Sequence, residues 1–202
     1  MSTATLVAIL RGLDPVNALA VAETLYETGV RILEVPLNSP EPFDSIGQIA
    51  RRHFPALTVG AGTVLKVADV QRTREAGGTL IVSPNADPAV IKAALGHSLR
   101  VMPGFATATE MFHAYAAGAR ELKLFPAAPL GVEYLKGLLA VLPRDAGVLP
   151  VGGVTAADVP RWLAAGAAGF GFGSEIFKPA YSLADIAARA GQLMQALDAH
   201  KS

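Results

Sequence analysis

Apolar, strand-forming runs return along this chain about every 20 to 25 residues, at 6–10, 32–37, 57–63, 79–84, 100–104, 121–126, 148–153 and 169–174. The stretches between them carry helical spacing instead. In 16–28, Ala18, Leu19, Ala22 and Leu25 fall on one face, and in 156–165 Val159, Trp162 and Leu163 do the same. Several of these stretches close on a glycine, at Gly29, Gly77, Gly118 and Gly166, the residue type that ends helices most readily. Eight strand–helix units with near-continuous apolar strands predict an α/β protein with a parallel sheet covered by helices, and eight is the number that closes a (β/α)8, or TIM, barrel. A single domain over 1–202 is expected, at the short end for that fold. An open doubly wound sheet would announce a glycine-rich phosphate turn after its first strand, and Leu10, Arg11, Gly12, Leu13 is no such turn.

Composition narrows the partners. Hydrophobic residues make up 51% of the chain and charged ones 17%, enough to bury one substantial core. Lys plus Arg and Asp plus Glu are both 17, so no net field draws nucleic acid or an anionic membrane, and neither is expected as a partner. With no cysteine, disulfides, thiolate nucleophiles and cysteine metal ligands drop out. Residues 1–11 carry no basic start before their short apolar run, which fits neither a signal peptide nor a membrane span, so a cytoplasmic protein is expected.

In a barrel of this kind the site is built at the C-terminal ends of the strands, so polar residues there point to function, and the list is short. Arg11 follows the first run, Glu34 lies inside the second, Thr63 ends the third and Lys123 stands inside the sixth, in Leu122, Lys123, Leu124, Phe125, Pro126. Arg31, Arg100 and Glu121 sit instead at strand starts, where exposure at the barrel bottom accounts for them. An ammonium in an apolar run either reaches solvent from the strand end or gives up its proton and becomes a nucleophilic amine. Glu34 and Lys123 can both point into the mouth, as a nucleophile with a proton shuttle or as a buried structural ion pair.

Two glycine stretches complete the pattern, 150–155 with Gly152 and Gly153, and 169–174 with Gly173 and Ser174. Loops after the seventh and eighth strands that lead to helix N-termini form the usual phosphate site of barrel enzymes, and both stretches are expected to enter helices. The second fails the dinucleotide fingerprint, since Ile176 stands where the third glycine would be. The histidines, His53, His97, His113 and His200, fall in helical stretches or at the C-terminus. No metal site and no cofactor are expected.

These motifs resemble the small class I aldolases that cleave 2-keto-3-deoxy-6-phospho sugar acids. The resemblance runs from Val7 to about Phe177 and is carried by Ile9-Leu10-Arg11-Gly12, Glu34-Val35-Pro36-Leu37-Asn38-Ser39-Pro40, Gly60-Ala61-Gly62-Thr63-Val64, Pro103-Gly104, Leu122-Lys123-Leu124-Phe125-Pro126, Gly152-Gly153-Val154 and Gly173-Ser174. It implies an imine at Lys123, with Glu34 as acid and base. It also implies Arg11 and Thr63 at the substrate carboxylate, Gly153, Gly173 and Ser174 at the phosphate, and a homotrimer. Asn38 and Val151 depart from the pattern of the gluconate members, where an arginine and a threonine stand. The implied substrate is therefore the galactonate epimer, cleaved to pyruvate and D-glyceraldehyde 3-phosphate, with the gluconate epimer as the alternative. A phosphosugar isomerase or epimerase, with Lys123 only as an electrostatic clamp, is the rival from another reaction class.

Overall fold

The structure, a computed structural model, describes residues 4–199. Strand and helix alternate as β1 (Thr5–Ile9), α1 (Ala18–Glu27), β2 (Ile32–Pro36), α2 (Pro42–Arg51), β3 (Thr58–Gly62), α3 (Val67–Glu75), β4 (Leu80–Val82) and α4 (Pro88–Gly96). There follow β5 (Arg100–Met102), β6 (Gly104–Phe105), α5 (Ala108–Ala116), β7 (Glu121–Leu124), α6 (Ala127–Leu130), α7 (Val132–Leu139), β8 (Gly147–Pro150), α8 (Val159–Ala164), β9 (Gly169–Phe172) and α9 (Leu183–Asp198). Each of the eight predicted runs contains a strand. The fifth contains two, because Pro103 has no N–H for the ladder and divides β5 from β6. The four glycines expected after helices all adopt positive φ, from 91° at Gly77 to 110° at Gly118.

All strand pairs are parallel. The ladder runs as a six-stranded sheet, β5-β4-β3-β2-β1-β9, and a three-stranded one, β6-β7-β8, so the described residues form a curled parallel sheet under helices rather than one unbroken eight-strand ladder. Single backbone contacts bridge both seams. Lys123 N donates to Pro103 O at 2.9 Å, and Ala168 N donates to Val148 O at 2.9 Å beside a parallel bridge between Val151 and Gly171.

Alternate side chains of a strand face opposite ways, and here the two faces have separate cores. Val7, Ile32, Leu80, Val82, Met102 and Leu149 pack together inside the curl. Leu33, Val35, Leu122 and Leu124 belong to the larger cluster that Leu25, Ile46, Val90, Met111 and Trp162 of the helices complete. At the strand starts Arg100 and Glu121 form a part-buried ion pair, with Nε donating to Oε2 at 2.6 Å, while exposed Arg31 donates to Tyr26 O.

Candidate active site

Glu34 is the third residue of β2 and Lys123 the third of β7. Because Leu33, Val35, Leu122 and Leu124 face the helices, strand alternation turns both polar side chains inward. Glu34 is 1% exposed and Lys123 8%. They line one small cavity with Val7, Ile9, Val82, Met102, Leu149 and Val151. Glu34 Oε2 is buried there without a hydrogen-bond partner, and Lys123 Nζ lies 5.1 Å from the centroid of the Phe125 ring.

Burial sets the charge state of both groups. It pushes the Glu34 carboxyl up, against the pull of the Lys123 and Arg11 charges. It pushes the Lys123 ammonium down, opposed by Glu34 and reinforced by Arg11. A depressed amine beside a carboxyl able to carry a proton can act as a nucleophile with its proton carrier.

The rim is built from strand ends. Ile9 pairs with Glu34 in the β1–β2 register, and Leu10 N donates to Glu34 O at 2.9 Å, which brings Arg11 to the mouth. There the exposed Arg11 Nη1 donates to Asn38 Oδ1 at 2.7 Å. Thr63 follows β3 at φ 58°, a left-handed conformation that is costly for a β-branched residue. Val151 is buried beside Gly171, while Gly152 and Gly153 continue at φ 94° and 75°. Gly173 and exposed Ser174 follow β9, so the Val151–Gly171 bridge brings the two glycine stretches side by side. Among the described residues, Thr63, just past β3, is joined to neither stretch by a hydrogen bond.

Comparison with known proteins decides the family. The description "Aldolase: KDPG and KHG aldolase" matches residues 1–188. The chain belongs to this family. It is 43% identical over 191 residues to the 2-dehydro-3-deoxy-6-phosphogalactonate aldolase of Escherichia coli (strain K12), covering 95% of this chain and 93% of that protein. The solved structure described as native KDPGal superposes with a TM-score of 0.96 at 41% identity, covering 100% of this chain and 98% of the other. The KDPG aldolase of Legionella pneumophila, solved with pyruvate captured at low pH as a covalent carbinolamine intermediate, is more distant. Its TM-score is 0.82 at 25% identity, with 99% and 95% covered.

Two sequence expectations about this KDPG/KHG aldolase family member need correction. The 150–155 stretch leads through a 3-10 turn, Ala156–Asp158, into α8, but Gly173 does not open a helix. Its carbonyl accepts from Ile176 N and Phe177 N in a tight turn, and α9 begins only at Leu183, where Ser182 caps it. The chain needs that turn to cross back over Gly12, where a Cβ would lie 2.9 Å from Pro179 Cγ. His53 lies past the end of α2 at φ 51° and His97 caps α4; only His113 is inside a helix, and His200 lies outside the described residues.

Sequence reasoning missed Ser39 and Gly62 as parts of the site. Ser39 is 8% exposed and its Oγ accepts from Gly12 N at 2.9 Å, tying the loop after β2 to the loop after β1. A Cβ at Gly62 would fall 1.4 Å from Glu34 Oε2. The Gly60-Ala61-Gly62 spacing was visible, but the side chain that fills the vacancy comes from another strand.

Proposed function

We propose that this chain is an imine-forming aldolase that cleaves 2-dehydro-3-deoxy-6-phospho-D-galactonate to pyruvate and D-glyceraldehyde 3-phosphate. The observation that carries the reading is the buried Lys123 amine, its proton affinity depressed, facing a buried Glu34 carboxyl with an unpartnered oxygen. The carbinolamine captured in the Legionella relative supports imine chemistry, and the higher identity to the galactonate enzyme of Escherichia coli supports the epimer. We read the two sheets as a single (β/α)8 barrel domain over 1–202, the seam contacts at Pro103, Val148 and Val151 acting as its closure.

Lys123 Nζ attacks the C2 ketone, and protonated Glu34 gives its proton to the departing hydroxyl, so that water leaves and a protonated imine remains. The Glu34 carboxylate then takes the proton of the C4 hydroxyl, directly or through one water. The C3–C4 bond breaks toward the imine, releasing D-glyceraldehyde 3-phosphate. The enamine regains a proton at C3, and water hydrolyses the imine to free pyruvate and the amine. Arg11 and Thr63 hold the carboxylate, while Gly153, Gly173 and Ser174 hold the phosphate with backbone and hydroxyl donors and so fix which carbon lies over Lys123. Apolar Val151 offers no hydroxyl at the position that distinguishes the C4 epimers. A cytoplasmic homotrimer completes the reading. Among the described residues no helix is long and apolar enough to cross a membrane, and exposed Val16, Leu65, Val67 and Val141 leave apolar surface for contacts between copies.

Borohydride reduction in the presence of pyruvate tests the chemistry: a pyruvyl mass is expected on the peptide containing Lys123, and its absence rules out imine catalysis. Cleavage of the gluconate and galactonate substrates side by side tests the epimer, with a higher kcat/KM expected for galactonate.

A further inference from the structure

Arg11 is held by a neutral group. Its Nη1–H donates to Asn38 Oδ1 at 2.7 Å, and among the described residues it forms no ion pair with a carboxylate. Since a guanidinium has only donors, Asn38 must turn its carbonyl toward Arg11, which leaves the amide N–H groups of exposed Asn38 without an acceptor among the described residues. The next residue pair repeats the tie, Gly12 N donating to the Oγ of buried Ser39 at 2.9 Å. Two consecutive residues after β1 are thus pinned to two consecutive residues after β2. Arg11 lies two residues past Ile9, which lines the cavity with Glu34 and Lys123, and its charge acts on both of those groups.

We propose that Asn38 is a positioning residue that fixes the Arg11 guanidinium at the mouth without neutralising it, so that the charge of Arg11 and the free N–H groups of Asn38 converge on a substrate carboxylate. A carboxylate at position 38 would hold Arg11 at least as firmly, but would compete with that anion for the same donors. An aliphatic residue would leave Arg11 charged and unanchored. The inference rests on the reading of Arg11 as the carboxylate anchor.

The contrast between Asn38→Asp and Asn38→Ala tests it. The readout is the pyruvate concentration that half-saturates borohydride trapping on Lys123, with acetone, a ketone without a carboxylate, as the parallel electrophile. Compared at a pH above the Lys123 limb of each variant, Asn38→Asp is expected to raise the pyruvate value about tenfold or more and Asn38→Ala about threefold, on the scale of charge-assisted hydrogen bonds, with acetone trapping unchanged in both. A merely structural tie predicts the reverse order, because Asp keeps the contact. Asp performing as well as wild type, or equal losses for pyruvate and acetone, overturns the proposal. Arg11→Ala separates the levels. If it leaves pyruvate trapping unchanged, the anchor reading itself fails; if it weakens trapping while Asn38→Asp does not, only the role of Asn38 is refuted.

Discussion

The carboxylate of Glu34 occupies the space where a side chain at Gly62 would begin, since a Cβ built there would stand 1.4 Å from Glu34 Oε2 and 2.3 Å from Cδ. Gly62 ends β3, two residues beyond the Gly60 that pairs with Glu34, so the carboxyl leans across to the neighbouring strand's C-terminal end. The absent side chain is what lets the Glu34 carboxyl lean that way.

Gly62→Ala is therefore expected to swing Glu34 away and reduce kcat by about two powers of ten or more, the scale of a lost general acid–base group. The diagnostic is non-additivity: adding Gly62→Ala to Glu34→Gln should cost little further in kcat, because the group it displaces is already gone. Steady-state kinetics of the double-mutant cycle check it.

The pH profile should follow the charges around Lys123. Its amine releases its proton below the ordinary 10.5, so the rising limb of pyruvate trapping with pH should lie below that value. Glu34→Gln removes a charge that favours the ammonium and should move the limb to lower pH; Arg11→Gln removes a repelling charge and should move it to higher pH. Stability carries the matching sign. The folded chain binds the Lys123 proton less tightly than the unfolded chain, so the cost of burial is present in full below the folded pKa and fades as pH rises toward 10.5. Lys123→Met should accordingly be more stable than wild type near neutrality, with a Tm advantage that shrinks at alkaline pH.

At the proposed phosphate end, Ser174→Ala is expected to raise KM for the phosphorylated substrate about tenfold, as for one hydrogen bond to a charged group, and to leave the unphosphorylated analogue unaffected. Gly153→Ala should be worse, since its φ of 75° strains any side chain and the new Cβ would lie 2.7 Å from Ala128 Cβ. Comparing the two substrates by kcat/KM reads both effects.

Val151→Thr is nearly isosteric and places a hydroxyl beside Gly171, where Val151 Cγ2 already lies 2.8 Å from the position of a Cβ at that glycine. The ratio of kcat/KM for the gluconate over the galactonate substrate should rise about tenfold, one hydrogen bond gained by one epimer. An unchanged ratio removes Val151 from epimer selection.

The strand runs were legible because burial on both faces makes them nearly continuous in apolar residues, and against that background Glu34 and Lys123 stand out one by one. The glycines that end α1, α3, α5 and α8 were equally plain, each demanded by a positive φ that its own segment imposes. Less legible was the fifth run, where Pro103 breaks the ladder, and the turn after Gly173, which must cross Gly12 before α9 can start. The break depends on where the neighbouring strands place a ladder that a residue without an N–H cannot join, and the turn on a contact with a loop far away in sequence.

Sequence alone determined the alternating α/β pattern, the ionisable residues set inside apolar strands, and the family to which their motifs belong, because period, polarity and residue type are local properties. Tertiary structure decided how those residues act on one another. That Glu34 fills the vacancy at Gly62, that burial outweighs mutual attraction in setting the protons of Glu34 and Lys123, and that Arg11 rests on neutral Asn38 are facts of strands and loops brought together across the curl. Desolvation and hydrogen-bond partnership have no value until the fold supplies the neighbours.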